Sequence, residues 1–290
     1  MTQINSPFRY AGGKFYARKL ILEHIPQHTS YIEPFAGGAS IFFCKDKVEQ
    51  NQLNDIDEEL VNTLTIIRDR PQELINILKV GTDRRVPRNL MGRVNTGDPI
   101  PAKKELHGYF KNEYRPRNEL ERAFKWFYLN RTSYSGIMNF KNMYWGYGDK
   151  YSMQPKNWPR NIERTSEKLQ GVTITNLDFE PVIDNAPDRS LLFVDPPYFN
   201  ADQDKFYEHF FSREDHYRLL RCIQRNADRL NFFITYDNVE EVRELYSWVH
   251  EMYDKEWNYC IQRTDDQTGR TTDKGKRYKG KELFIINYLP

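Results

Sequence analysis

Cysteine is scarce in this chain. Its 290 residues contain three, Cys44, Cys222 and Cys260, odd in number and far apart. No C-x-x-C pair exists, which disfavours zinc ribbons and thioredoxin-type redox chemistry. Cys222 falls in an amphipathic helical pattern and Cys260 in a strand pattern, so both are expected to pack in a core, with a reducing cytoplasm as the compartment. Histidine is nearly as rare, six in all and unpaired; packed or solvated imidazoles are expected rather than a catalytic one. No apolar run is long enough to span a bilayer, and no secretory segment is evident. Neither sign of charge dominates: the net charge of +2 says almost nothing about partners. Repeats and low-complexity tracts are lacking too. What is present, 39% hydrophobic and 14% aromatic residues, is the composition of a folded protein.

The order of patterns predicts an α/β fold. Strand-like Tyr31–Phe35 is followed by a helical pattern at Ile41–Lys47, then Gln52–Asn54 and a helix over Glu58–Arg68. The alternation resumes with Val172–Asn176, Leu191–Val194, helix Arg213–Asn226, strand Asn231–Tyr236, helix Val239–Tyr246, and strands around Trp257–Gln262 and Glu282–Tyr288. Strands alternating with helices predict a mostly parallel sheet covered on both faces. The last two strands are joined only by Arg263–Lys281, so they should pair antiparallel. Between about Arg70 and Trp158 the alternation breaks. Helical stretches at Lys103–Tyr114 and Glu119–Tyr128 precede a loop rich in Asn, Gly and aromatics. A long structureless connection is uncommon inside a compact domain, so residues 70–158 are expected to form an inserted domain, with 1–69 and 159–290 as the other.

Three motifs carry chemistry. Asp195-Pro196-Pro197-Tyr198 follows the apolar run Leu191–Val194, at the carboxyl end of a strand, where open α/β sheets bind ligands. Two prolines cannot continue a ladder, so they fix a stiff turn. A carboxylate, a rigid carbonyl and an aromatic face at one point suit a flat heterocycle bearing an exocyclic amine. The second motif is Glu33-Pro34-Phe35-Ala36-Gly37-Gly38-Ala39-Ser40, glycines at a strand-to-helix turn where a ligand can approach the backbone. It is neither the G-x-G-x-x-G fingerprint nor a P-loop. Glu33 suits a cation such as an α-ammonium group. Asp55, about 20 positions after the glycines, stands where an acidic residue takes a ribose hydroxyl pair, while Asp57 reads equally as the N-cap of helix Glu58–Arg68. The third is Arg9-Tyr10-Ala11-Gly12-Gly13-Lys14, two glycines and a lysine ahead of a helix expected over Phe15–His24, able to bind an anion through backbone N–H groups. Asp178-Phe179 adds a carboxylate beside a ring at another strand end; a plain cap of helix Glu180–Ile183 is the equal alternative.

In this order, and with Phe127–Gly136 (FYLNRTSYSG), the motifs resemble the Dam-like class of N6-adenine DNA methyltransferases, over nearly the whole chain. The resemblance implies a seven-stranded Rossmann-like methyltransferase sheet ending in an antiparallel strand, with a mainly helical target-recognition domain at 70–158. It implies S-adenosylmethionine as cofactor, held by Tyr10, Gly12, Gly13 and Lys14, by Glu33, Phe35, Gly37 and Gly38, by Asp55 and Ile56, and by Asp178, Phe179 and Asp195. Asp195, Pro196, Pro197 and Tyr198 become the catalytic set, and no metal is required. Double-stranded DNA is the implied partner, contacted by Arg131, Tyr134, Ser135, Asn139 and Lys141 of a DNA-reading hairpin; a cognate restriction endonuclease is admitted. The expected form is a monomer, with a dimer left open, in a prokaryotic cytoplasm and either cell- or phage-encoded.

Two departures stand out. Some members carry Trp where this chain has Tyr10, and Ala39 replaces the last Gly of the commoner turn. GATC-reading members tend to have an arginine a few residues beyond the tyrosine of the hairpin. Here the polar residue is Asn139, and Asn pairs best with adenine; a target other than plain GATC is expected. Two rivals remain open. One is a methyltransferase acting on RNA or on a protein amide, although glutamine-modifying relatives usually carry Asn where Asp195 stands. The other is a non-catalytic DNA-binding module, against which Glu33, Asp55 and Asp195 argue.

Overall fold

The computed structural model describes residues 3–10, 12–150, 152–200, 209–249, 251–258 and 279–289. Seven strands form one sheet in the order β3-β2-β1-β4-β5-β7-β6. Strands β1 (Ser30–Glu33), β2 (Gln50–Asn54), β3 (Thr173–Thr175), β4 (Leu191–Val194) and β5 (Asn231–Asp237) run parallel. Strand β7 (Lys279–Ile286) is antiparallel to β5, and β6 (Glu251–Asn258) antiparallel to β7. The final strands thus pair antiparallel, as expected. The earlier of the two lies upstream of its expected place, with only Trp257 and Asn258 shared; residues 259–278, including most of the basic connection, lie outside the described residues.

Strand order reverses between β1 and β4: β1 is followed by β2 on one side, while β4 and β5 extend the sheet on the other. The segment after β1 and the segment after β4 therefore emerge side by side at a topological switch point, and a crevice opens between them. Every residue of β1 and β4 is buried, as expected of central strands covered on both faces.

Side chains alternate across the sheet with period two. Tyr31, Leu53, Leu191, Phe193, Phe233, Phe284 and Ile286 enter one buried cluster. Ile32, Leu192, Val194, Phe232, Ile234, Tyr236, Leu283 and Ile285 enter the other. The first face is covered by α1 (Arg18–Leu22), α2 (Ser40–Cys44), α3 (Glu58–Asp69), α4 (Pro71–Ile77), α5 (Lys104–Asn112), α6 (Glu119–Thr132) and α7 (Trp158–Leu169). The second is covered by α8 (Phe179–Asp184), α9 (Arg213–Asn226) and α10 (Glu240–Leu245).

Local chemistry sets several helix starts. Asp57 caps α3 by accepting from Glu59 and Leu60 N–H, and Asn118 caps α6. Ser212 and Asp215 form a capping box on α9. The helix expected at Phe15–His24 is shorter, because α1 begins only at Arg18. Helices α4 and α7 lie where no helix was expected; each carries proline in its first turn, where the missing N–H costs nothing. Within 70–158, Leu74, Phe110, Tyr114, Phe124 and Trp158 join the cluster on the first sheet face, and α6 packs on α3.

Candidate active site at the switch point

A cavity of ≈ 730 Å³ occupies the carboxyl edge of the sheet, lined from every parallel strand end of the motif set and from the hairpin after α6. The glycine turn after β1 forms its floor. Ala36 N–H donates to the Asn54 carbonyl (2.8 Å), tying the turn to β2. At Gly37 φ is +47°, and a Cβ would stand 2.8 Å from the Tyr10 ring, so only glycine lets that ring lie on the turn. Ala39 adopts φ 47°, ψ 40°, a left-handed conformation more common for glycine. The substitution noted in the sequence therefore preserves the backbone path.

Asp55 stitches β2 to this turn. Its Oδ2 accepts Gly37 N–H (2.7 Å) and its Oδ1 accepts Asp57 N–H (3.0 Å). Two oxygens offer about four acceptor sites, so the carboxylate can still take a further donor. Burial raises the Asp55 pKa, and it pushes Asp57 up to about 6. Beside Asp55, Ile56 is 52% and Leu177 46% exposed, two open apolar side chains at the cavity lip. Phe179 lies behind them, stacked on Phe35 at 5.4 Å and tilted against Phe211 at 5.9 Å. Asp178 caps α8 through Glu180 N–H (2.9 Å) and also accepts from Arg218 Nη2 (3.1 Å). Capping and a place on the cavity wall are thus both properties of Asp178, and neither excludes the other.

Glu33 ends β1, buried but lining the cavity. Tyr31 OH and Phe42 N–H both donate to its Oε1 at 2.8 Å. Burial pushes its pKa up to about 8, against the lowering effect of these two donors.

Asp195, just past β4, is anchored on one oxygen. Lys14 Nζ lies 2.7 Å from Oδ1, and Thr235 Oγ1 donates to the same oxygen at 2.6 Å. Lys14 is itself buried. It donates to the Gly12 carbonyl (3.1 Å), stands 3.9 Å from Glu282 Oε2 and lies 4.8 Å from the Tyr198 ring centroid. Burial works to lower the Lys14 pKa, but Asp195 and Glu282 outweigh it, and the pKa is raised. The N-terminal motif therefore brings its lysine to the carboxylate after β4. An anion held by Gly12 and Gly13 amides alone does not describe where this side chain goes. Behind Tyr198, Asp237 at the end of β5 accepts Phe199 N–H (3.0 Å) and Asn200 N–H (3.1 Å), fixing the path of the chain after the two prolines.

Thr235, Asp237, Arg218 and Glu282 belong to none of the sequence motifs. For β5 a signal existed: it neighbours β4 in a doubly wound sheet, so its polar carboxyl end faces the same crevice. Arg218 sits in an amphipathic helix and Glu282 in a strand, with nothing local to mark either.

The hairpin after α6 borders the cavity. Tyr134 N–H donates to the Tyr144 carbonyl (2.7 Å) and Gly146 N–H to the Thr132 carbonyl (2.9 Å), which pairs its two arms. Gly136, Met138 and Asn139 reach the cavity, while Tyr134, Phe140, Lys141 and Tyr144 are exposed. Ser135 is half-buried with φ 51°. Arg131 departs from its expected place. It is 5% exposed on the inner side of α6, and its Nη1 donates to the Pro7 carbonyl (3.1 Å). Burial pushes its pKa down to about 10, with Arg9 nearby acting in the same direction. A guanidinium in that position holds the N-terminal arm rather than meeting a duplex. Asn130 completes the clamp, accepting from Arg9 N–H (3.1 Å) and donating to the Arg9 carbonyl (2.7 Å).

No helix among the described residues is long and apolar enough to cross a membrane. Comparison with known proteins gives the fold and cavity a family. The family model for D12 class N6 adenine-specific DNA methyltransferases matches residues 10–261. The type II methyltransferase M1.LlaDCHI of Lactococcus lactis subsp. cremoris is 26% identical, over 97% of this chain and 95% of its own. M.CviBI of Paramecium bursaria Chlorella virus NC1A is 26% identical over 97% and 98%. A DNA adenine methylase of Vibrio cholerae is 23% identical over 82% and 83%. With a methyltransferase sheet order, an Asp-Pro-Pro-Tyr turn at its switch point and a family match across most of its length, the chain belongs to the D12 class of N6 adenine-specific DNA methyltransferases.

Proposed function

We propose that the chain transfers the methyl group of S-adenosylmethionine to N6 of an adenine extruded from duplex DNA. The observation that carries this reading is the meeting of Asp195, Asp55 and the glycine turn in one cavity at the switch point. The residues fit the cofactor. Asp55 has lone pairs left for ribose hydroxyls, Gly37 leaves the floor bare, and Ile56, Leu177 and Phe179 offer an apolar slot for an adenine ring beside Asp178. Glu33 Oε2 is the oxygen for an α-ammonium group, since Tyr31 and Phe42 use Oε1. S-adenosylmethionine, when bound, supplies an electrophilic methyl group.

The chain's own residues do the remainder. Adenine N6 shares its lone pair with the ring and is a poor nucleophile. Asp195 and the Pro196 carbonyl each accept one N6 hydrogen, which draws the nitrogen toward tetrahedral geometry and frees the lone pair for in-line attack. Asp195 then stabilises the positive charge that develops on N6 as the nitrogen–methyl bond forms and the methyl–sulfur bond breaks, and the surplus N6 proton is released to solvent. Tyr198 provides the face on which the extruded base stacks. Pro197 keeps the turn rigid. Holding both reactants in line supplies the rest of the rate. No covalent enzyme intermediate is needed.

For sequence choice, Tyr134 fills the gap left by the extruded base, and Ser135, Asn139 and Lys141 meet base edges or phosphate. Asn139, at the cavity border where GATC readers carry arginine nearby, favours an adenine-containing target other than plain GATC. A cognate restriction endonuclease suits a chain of this kind, as some relatives are named type II methyltransferases and others DNA adenine methylases. Methylation of a random-sequence duplex library, followed by sequencing of modified adenines, tests the reading. One non-GATC motif that broadens in Asn139→Ala is expected. Methylation confined to GATC and unaltered by that substitution would contradict it.

A further inference from the structure

The sheet register brings three polar residues to one edge. Val194 of β4 pairs with Ile234 of β5, so Asp195 and Thr235 stand opposite each other one step further on. Thr235 pairs with Phe284 of β7, two residues from Glu282. Period-two alternation puts Phe193 and Asp195, Phe233 and Thr235, and Phe284 and Glu282 on the same face. On each strand an aromatic core residue thus has, two positions away and toward the carboxyl edge of the parallel strands, a polar neighbour on the same face. Thr235 is fully buried, and a hydroxyl in such a place is kept where it has a partner. Its partner is Asp195 Oδ1 at 2.6 Å, the oxygen that also receives Lys14.

We infer that Thr235 is a positioning residue for methyl transfer: its hydroxyl, together with Lys14, fixes Asp195 through Oδ1 so that Oδ2 alone is presented to the substrate amine. The inference rests on the proposed role of Asp195 at N6. A carboxylate held by one contact can swing about its Cα–Cβ and Cβ–Cγ bonds; two donors on one oxygen from different strands and loops remove that freedom. The distinction matters because N6 must meet Oδ2 and the Pro196 carbonyl at once. An error of about 1 Å in such geometry costs on the order of 100-fold in rate. Lys14 is held from behind by Glu282, whose Oε2 lies 3.9 Å from its ammonium, so β7 contributes to the same arrangement.

The test uses the full-length protein, with S-adenosylmethionine and duplex DNA carrying its methylated motif. Thr235→Val keeps the shape and removes the hydroxyl. Its kcat in single-turnover and steady-state assays should fall about 10- to 100-fold, while KM for DNA, calorimetric affinity for the cofactor and the thermal midpoint stay near wild type. Thr235→Ser should recover kcat to within about threefold, because it restores the donor. If the valine variant folds poorly, Thr235→Ala and Thr235→Ser form the comparison: both lose the methyl group and only serine keeps the hydroxyl. Equal kcat for that pair, or a valine variant as fast as wild type, would overturn the inference. An active wild type that Asp195→Ala abolishes keeps the proposed function intact in that event. A wild type indifferent to Asp195→Ala would instead remove the reading on which the inference stands.

Discussion

Glu33 shows how burial sets the titration of a residue at the cavity edge. Its pKa is raised from the usual 4.5 to about 8, mainly because the carboxylate is costly inside the sheet edge. A folded-state pKa above the unfolded one means that the folded chain binds the proton more tightly. The stability this contributes is complete below about 4.5 and is lost as pH rises through about 8. Lys45, whose ammonium burial pushes down to about 8, acts in the opposite direction above that pH. The two are separated by comparison with Glu33→Gln. Between about pH 6 and pH 9 the wild-type thermal midpoint should fall more steeply than that of the variant. Parallel curves would show that Glu33 titrates as an ordinary carboxylate.

The single residues most legible in the sequence were those that punctuate strands. Asp195 after an apolar run, Gly37 before a helix and Asp55 at a strand end all reach the cavity. Lys14 and Arg131 were less legible. Each is a cation whose partner is distant in sequence, Asp195 for one and the Pro7 carbonyl for the other. Charge in a motif says that a side chain will find an acceptor, but only the packing of the N-terminal arm decides which.

At the level of elements, that arm and the hairpin after α6 are locked together. Asn130, Arg131 and the Arg9 guanidinium, which donates to the Ser133 carbonyl at 3.2 Å, make the polar contacts. Gly136 makes the close approach possible: its φ is +71°, and a Cβ would lie 2.1 Å from the Arg9 carbonyl oxygen. Gly136→Ala must either flip that backbone or part the hairpin from the arm, and should destabilise the protein by about 2 kcal/mol or more. Denaturant unfolding measures this; a loss within about 0.5 kcal/mol, the range of neutral surface changes, would mean that the two segments are not in rigid contact. The boundaries of β4 and α9 match the expected ones residue for residue: an apolar run bounds β4, and a capping box fixes the start of α9. Helices α4 and α7 were not anticipated. They lie beside the break in alternation, and their first-turn prolines look like loop punctuation unless read as helix starts. The strand β6 was displaced because its charged residues, Glu251, Asp254, Lys255 and Glu256, mask the alternation on a sheet edge.

For the molecule as a whole, the sheet order explains why motifs almost 160 residues apart in the chain act together. The turn at Gly37 and the turn at Asp195 are neighbours only because β1 and β4 flank the switch point. The helical section 70–158 rests on the first sheet face and shares its buried cluster, and its hairpin returns to the same cavity. A scaffold so arranged brings the glycine turn, the hairpin and Asp195 to one opening, and the proposed chemistry converges on that carboxylate. The most direct measurement is therefore methyl transfer from labelled S-adenosylmethionine to duplex DNA by wild type and Asp195→Ala, with the product nucleosides resolved by mass spectrometry. N6-methyladenine is expected from the wild type, and a loss well beyond tenfold, about 1.4 kcal/mol in barrier, in a variant that still folds. Methylation at another base, or an Asp195→Ala variant within tenfold of wild type, would contradict the proposed function.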